Sequence, residues 1–129
     1  MAQSTEILPN GLQLLQDDRF FKLGQDSVLL SAFAKPRRNA KLLDLGCGTG
    51  ALALLVWRPD LTITGLELQD GPLDLFRQSI AANELENVTA LQGDLRQMRM
   101  LLPHGSMDYV ICNPPYFDRN AGANAPTAE

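Results

Sequence analysis

The sequence predicts an α/β domain built on a doubly wound parallel sheet, and two features of the chain indicate this class. From residue 41 onward, short apolar stretches typical of buried strands alternate with longer amphipathic stretches typical of helices. The apolar stretch Leu42–Leu45 also leads into Gly46–Gly50, which has glycine at alternate positions and is followed at once by a helix-length apolar stretch. A strand, a tight glycine turn and a helix start form the first βα turn of a nucleotide-binding sheet.

Length, charge and cysteine content limit the possible functions. The 129 residues suit one domain, and the net charge of −4 is unusual for a nucleic-acid-binding protein. Apolar runs fall short of the roughly 20 residues of a membrane span, and the amino-terminal stretch MAQSTEILPNG lacks a leader pattern. We therefore expect a cytoplasmic chain without a membrane partner. Two cysteines and one histidine do not make a usual zinc site, so no metal is expected. Cys47 and Cys112 are expected to lie in ligand-facing loops, and in a cytoplasmic chain their thiols would be reduced.

The first 34 residues predict a small hairpin and a helix. Residues 1–10 are expected to be frayed, and the stretches Gly11–Gln16 and Phe20–Leu23 are predicted to pair on either side of a polar turn. A helix is predicted from its N-cap at Asp26 to Ala34, because Pro36 follows. The basic run 35–41 is interpreted as a solvated linker, with contact to RNA phosphates as the alternative.

Residues 35–117 predict the core, and 118–129 predict a disordered polar tail. The core is expected to have four parallel strands. If they are numbered 1 to 4 in chain order within the core, the expected order in the sheet is 3-2-1-4. The buried face of its second helix is predicted to contain Leu73, Leu75, Phe76, Ile80 and Ala81. The expected elements after the glycine turn are helix Ala51–Trp57, strand Leu61–Leu66, a helix from Gly71-Pro72 to near Asn83, strand Val88–Gln92, a short helix Leu95–Leu102 and strand Met107–Ile111.

Acidic residues follow the predicted strands at the positions where a nucleoside ligand would need them. Asp44 precedes the glycines and suits a ligand with a positive group better than a pyrophosphate. Glu67 lies 23 residues after Asp44, close to the ~20 at which a carboxylate meets ribose hydroxyls in nucleotide-binding sheets. Asp94 follows the third core strand, after Gly93, and suits either a ligand contact or the N-cap of the next helix.

The fourth core strand leads into Asn113-Pro114-Pro115-Tyr116, the second informative stretch. Consecutive prolines hold the backbone extended, and the first of them has no N–H to bond elsewhere. The stretch therefore presents the Asn113 side-chain oxygen and the Pro114 carbonyl as fixed acceptors, with Tyr116 as an aromatic platform. A planar amino group attached to a ring fits such an arrangement.

These motifs, in this order, resemble those of the class I S-adenosylmethionine (SAM) methyltransferases. Asp44–Gly50 is similar to their motif I, and Asn113–Tyr116 is similar to motif IV of the enzymes that methylate amino nitrogens. The resemblance implies a Rossmann-like fold, SAM as the cofactor, and catalysis by positioning and electrostatics without a metal. It implies catalytic roles for Asn113, Pro114, Pro115 and Tyr116, and cofactor contacts for Gln25, Asp26, Asp44, Gly46, Cys47, Gly48, Gly50, Glu67, Leu68 and Asp94.

Within these methyltransferases, residues 11–117 resemble the family that methylates adenine N6 beside the anticodon of a valine tRNA. The resemblance implies tRNA as the partner, with its target base turned out of the stack. A glutamine methyltransferase of release factors is the alternative, and a SAM-binding fragment without catalysis is a second one. A dehydrogenase-like nucleotide-binding domain is disfavoured, because the longer glycine fingerprint is missing. Since the family's sheet has further strands, the chain is expected to be a front part with an open sheet edge that favours self-association.

Overall fold

The chain forms a small antiparallel hairpin and a four-stranded parallel sheet with helices. The computed structural model describes residues 3–20, 28, 31–32, 34–97, 100, 102 and 105–112. In chain order the elements are β1 (Gln3–Ile7), β2 (Gln13–Asp17), β3 (Lys41–Leu45), α1 (Ala51–Leu55), β4 (Thr62–Glu67), α2 (Asp70–Ala82), β5 (Val88–Gln92), a 3-10 turn (Leu95–Gln97) and β6 (Tyr109–Cys112).

The parallel sheet has the order β5-β4-β3-β6, which confirms the predicted order and direction. Its central strand β3 is buried at Leu42, Leu43 and Asp44, because β4 and β6 flank it and helices cover it. The strands that carry the strongest apolar patterns therefore take the most enclosed positions.

The hairpin is confirmed, but its pairing differs from the expectation. Strand β2 overlaps the predicted Gly11–Gln16, whereas its partner is β1, so residues 3–7 are paired and the expectation that residues 1–10 are frayed is wrong. All five β1 side chains are exposed, so the strand shows no apolar alternation that a sequence analysis could detect. The turn between the strands is closed by the Leu8 N–H, which donates to the Leu12 oxygen at 2.8 Å, and contains Gly11 at φ 89°.

The hairpin is attached to helix α2 through polar side chains. Ser79 is fully buried, and its Oγ accepts the Leu15 N–H at 2.9 Å. Asn83 completes the contact, since its Oδ1 accepts the Gln13 N–H at 2.9 Å and its Nδ2 donates to the Gln13 oxygen at 2.8 Å. Side chains of the helix thus bond backbone groups of β2, and among the described residues no third strand pairs with it.

Helix α2 packs its apolar face on the sheet. Leu73, Leu75 and Phe76 are buried as predicted and Ile80 is half-buried, while Ala81 is exposed because, at 3.6 residues per turn, it lies on the far side of the helix from Phe76. Phe76 is 0% exposed and belongs to the same apolar cluster as residues from β3, α1 and β4. The core therefore joins helix α2 to β3, which precedes the glycine turn in the chain, and to β4, which follows it.

Two predicted segments lie largely or wholly outside the described residues. The helix predicted at 26–34 is represented by Val28, Ser31 and Ala32, which are helical, with the Ser31 Oγ donating to the Val28 oxygen at 2.7 Å. The tail predicted at 118–129 lies outside, so its disorder stays a prediction. In the part of the chain that is described, no helix is long and apolar enough to cross a membrane.

Candidate functional site

The carboxyl ends of the four parallel strands meet at one edge of the sheet. Leu45 at the end of β3 is paired with Leu66 on one side and with Cys112 on the other. Glu67 at the end of β4 is paired with Gln92 at the end of β5. Open parallel sheets bind ligands at this edge, so the residues that follow these strands form the candidate site.

The glycine turn after β3 supplies backbone shape rather than side chains. Gly48 has a φ of 57°, and a Cβ built there would meet no atom of the described residues within 4 Å, so glycine serves the backbone conformation. Gly50 has a φ of 90° and faces the Phe76 ring, where no Cβ fits. The turn is bonded to β4 through the Cys47 N–H, which donates to the Leu66 oxygen at 3.0 Å.

Glu67 holds the turn in place with its carboxylate. Its Oε1 accepts the Gly48 N–H at 2.8 Å and its Oε2 accepts the Gln69 N–H at 3.0 Å. Each carboxylate oxygen offers about two lone-pair positions, so both oxygens retain capacity for a hydroxyl donor. The carboxylate is therefore oriented in advance for a pair of hydroxyls such as those of a ribose.

Asp44 is the most unusual group of the site, because its carboxylate is buried without full compensation. The residue is 2% exposed, and its Oδ2 has no hydrogen-bond partner in the described part of the chain. Burial raises the pKa of this carboxyl to about 7, against the opposing effect of the Ala53 N–H, and the nearby negative charge of Glu67 adds to the rise. A buried acceptor of this kind is costly unless a ligand satisfies it.

Asp94 behaves as the N-cap of the 3-10 turn. Its Oδ1 accepts the Arg96 N–H at 2.9 Å, and its Oδ2 accepts from Arg96 Nη2 at 2.7 Å. The hydrogen bonds from Arg96 lower the pKa of Asp94 to about 2. The capping alternative that the sequence left open is therefore realised in the structure, and a ligand contact at Asp94 stays a prediction.

Leu68 follows Glu67 and is 59% exposed, which leaves an apolar side chain at the open edge. Its loop is fixed by Gln92, whose Nε2 donates to the Leu68 oxygen at 3.1 Å and also bonds the Asp70 carboxylate. Sequence reasoning missed Gln92, because a glutamine at a strand end has no pattern that distinguishes it from a surface residue.

The two cysteines differ from the expectation that both lie in ligand-facing loops. Cys47 is in the glycine turn, but its side chain is 8% exposed and packs inward, and burial raises the pKa of its thiol. Cys112 is exposed and is the last residue of β6, so it lies in a strand and not in a loop. Each has a free thiol.

Six of the predicted site residues lie outside the described residues. The structure places Asp44, Gly46, Cys47, Gly48, Gly50, Glu67, Leu68 and Asp94 at or next to the carboxyl edge of the sheet. The six that lie outside are Gln25, Asp26, Asn113, Pro114, Pro115 and Tyr116. Among the residues that are described, there is no group of three or more metal-binding side chains.

Comparison with known proteins gives a family match over most of the chain. The model of the methyltransferase small domain family matches residues 24–127. A tRNA1(Val) (adenine(37)-N6)-methyltransferase from Pseudoalteromonas translucida is 36% identical over 105 residues, which cover 80% of this chain and 44% of the relative. The enzyme of the same name from a Shewanella species is also 36% identical, with 76% of this chain and 42% of the relative covered. The chain thus spans less than half the length of these curated relatives.

Solved structures show the same fold. The tRNA m1G37 methyltransferase of Methanocaldococcus jannaschii superposes with a TM-score of 0.68 at 20% identity, covering 89% of this chain and 36% of that one. A Pyrococcus abyssi tRNA (uracil-54, C5)-methyltransferase in complex with S-adenosyl-L-homocysteine has a TM-score of 0.67 at 16% identity, covering 88% of this chain and 28% of that one. The sheet order, the glycine turn and the family match agree, and the chain belongs to the methyltransferase small domain family.

Proposed function

We propose that this chain is the cofactor-binding part of a SAM-dependent N-methyltransferase that acts on adenine N6 of a tRNA. The observation that carries the proposal is the Oδ2 of Asp44, which is buried and has no hydrogen-bond partner among the described residues, beside a glycine turn that Glu67 holds from the next strand. A cationic nucleoside suits this pair of carboxylates, because one of them needs a positive partner and the other retains acceptor capacity for hydroxyls.

SAM matches these two requirements and supplies an electrophilic methyl group when bound. Asp44 would attract the positive charge of its amino-acid end, and Glu67 would accept from its ribose hydroxyls. Leu68 offers an apolar surface beside Glu67 for the adenine ring. No atom of the described part of the chain lies within 4 Å of a Cβ built on Gly48, so on that side a ligand can approach the backbone closely.

The substrate half of the proposal rests on the printed names of the relatives and on the predicted Asn113–Tyr116 stretch. The curated relatives are tRNA adenine N6-methyltransferases. Asn113 and the Pro114 carbonyl would accept the two hydrogens of the target amine, and Tyr116 would stack on its ring. Positioning of this kind leaves the nitrogen lone pair free to attack an electrophilic carbon. A tRNA substrate also agrees with the cytoplasmic location expected from the sequence, and with the nucleic-acid partner that the family resemblance implies, although not with the net charge of −4.

The test begins with calorimetry of SAM and S-adenosylhomocysteine, with NAD as the control ligand, and continues with methyl transfer from SAM to unmodified tRNA. We expect micromolar binding of both SAM compounds, none of NAD, and labelled N6-methyladenine in the tRNA. Binding of NAD alone would favour a dehydrogenase-like domain. SAM binding with methylation of a release factor would favour the glutamine methyltransferase. SAM binding without methylation of either tRNA or a release factor would favour a SAM-binding fragment without catalysis. We also propose self-association through the edge of β6 that pairs with no other strand among the described residues.

Asn113→Ala separates binding from transfer. The variant is expected to bind SAM nearly as tightly as the wild type while losing methyl transfer, because Asn113 would contact only the target amine. The matched control is Asn39→Gly, which removes an exposed asparagine side chain in the turn before β3, at the opposite end of the sheet, where the φ of 62° suits glycine. Parallel loss of binding and transfer in Asn113→Ala would contradict the proposed role.

A further inference from the structure

The Phe76 ring of helix α2 occupies the space that side chains at two glycines would need. A Cβ built on Gly65, in the middle of β4, would lie 2.5 Å from the Phe76 Cε2 and 2.8 Å from the Cys47 Sγ. A Cβ built on Gly50 would overlap the same ring, with its Cγ at 2.7 Å. Phe76 itself is 0% exposed. One ring therefore contacts both β4 and the end of the glycine turn.

Gly65 has no conformational reason to be glycine. It lies inside a parallel strand, and its φ is outside the left-handed region that favours glycine. Glycine in a strand interior weakens the strand and marks a close approach by another group. The groups that approach here are the Phe76 ring, which is the nearer, and the Cys47 side chain, so the small residue makes room for both.

Hydrogen bonds connect the two glycines that contact the Phe76 ring to Gly48 and Glu67, which face the proposed ligand. The Gly50 N–H donates to the Cys47 oxygen at 2.9 Å, and the Cys47 N–H donates to the Leu66 oxygen at 3.0 Å. Between these bonds lies Gly48, whose N–H donates to Glu67 at 2.8 Å. A ring that fixes Gly50 and Gly65 thereby fixes the two ends of the segment that presents Gly48 to Glu67.

We propose that Phe76 is a positioning residue. Its ring packs against Gly50 and Gly65 and so holds the glycine turn in its ligand-binding shape. The inference rests on the proposed function, since the shape is that of the SAM site. Sequence patterning places Phe76 on a buried helix face but gives it no such role, because Leu73 and Leu75 of the same helix have equal claims to be buried.

The test compares Phe76→Leu with Leu73→Ala, a core change in the same helix at a residue that is not among the nearest neighbours of either glycine. Two quantities are measured well below the melting temperature of each variant. One is the affinity for S-adenosylhomocysteine by calorimetry. The other is the hydrogen-exchange rate of the Gly48 amide in the ligand-free chain, which reports the bond to Glu67 without any ligand.

We expect Phe76→Leu to speed Gly48 exchange and to weaken binding by about threefold to a hundredfold, the range of coupling between residues in contact. Leu73→Ala should keep both values near those of the wild type. Gly65→Ala is expected to displace the ring and weaken binding, and Gly65→Ala combined with Phe76→Leu should recover part of the loss, because the smaller side chain makes room for the methyl group.

Wild-type Gly48 exchange in Phe76→Leu, or equal effects in Leu73→Ala, would overturn the inference. If Phe76→Leu does not fold, Gly65→Ala carries the test, and unchanged exchange there would overturn it as well. Failure of the proposed function is distinguishable, since it would appear as a wild-type chain that binds no SAM compound or leaves tRNA unmethylated, whatever the exchange rates show.

Discussion

Glu67 has a double task at the residue scale, since the same carboxylate that would meet a ribose also bonds the Gly48 and Gln69 N–H groups. Glu67→Ala removes the hydroxyl acceptor and also releases the glycine turn. We expect it to weaken SAM binding by about 1–3 kcal/mol, the cost of a lost charge-assisted hydrogen bond. Calorimetry measures this directly. Glu6→Ala, at an exposed glutamate of β1, is the matched control, and unchanged affinity in Glu67→Ala would refute the ribose assignment.

Asp44 predicts a pH dependence of ligand binding. The pKa of its carboxyl is raised to about 7 in the ligand-free chain, mainly by burial. A cationic ligand favours the ionised form and lowers that pKa, so binding releases a proton below about pH 7 and affinity rises with pH up to that value. An α-amino group stays largely protonated below about pH 7.5, so the ligand keeps its charge over this range.

The measurement for Asp44 is calorimetry of SAM at several pH values, in buffers of different ionisation enthalpy, which counts the released protons. Asp44→Asn should bind more weakly and show no such proton release, because its amide does not titrate. Wild-type binding without proton release between about pH 5.5 and about pH 7 would contradict the assignment of a positive partner to Asp44.

At the scale of elements, the attachment of β2 to α2 depends on Ser79. Its Oγ is the acceptor for the Leu15 N–H, and the serine is fully buried. Ser79→Ala leaves that N–H without a partner in a partly buried place, and we expect a loss of about 1–3 kcal/mol in the free energy of unfolding. Urea denaturation measures the loss, with exposed Ser4→Ala as the control. Equal stability of the two variants would show that the contact contributes little.

The elements also show how far sequence reasoning reaches. Strand β5 matches its predicted bounds. Asp44 and Glu67 were predicted as site residues because an acidic residue near the carboxyl end of an apolar strand is a local pattern, and the structure places both at that end of their strands. Strand β1 was missed because its polar, exposed side chains have no alternation, and its pairing is decided by the turn at Gly11 and the backbone. The burial of Asp44 Oδ2 and the packing of the Phe76 ring against Gly50 and Gly65 depend on residues distant in sequence, so no local pattern predicts them.

At the scale of the whole molecule, the sheet order leaves β6 bonded to β3 on one side and to no other strand within the described residues. Val110 in this strand is 55% exposed. Unpaired strand edges with exposed apolar side chains associate readily, and a lysine at the edge opposes pairing.

We therefore expect the wild-type chain to form dimers as its concentration rises in sedimentation equilibrium, and Val110→Lys to remain a monomer at the same concentrations. Thr62→Lys, at an exposed position of the inner strand β4, is the control for added charge and should dimerise like the wild type. A wild-type chain that stays monomeric at high concentration would show that this edge is protected, and the association proposed for it would have to be abandoned.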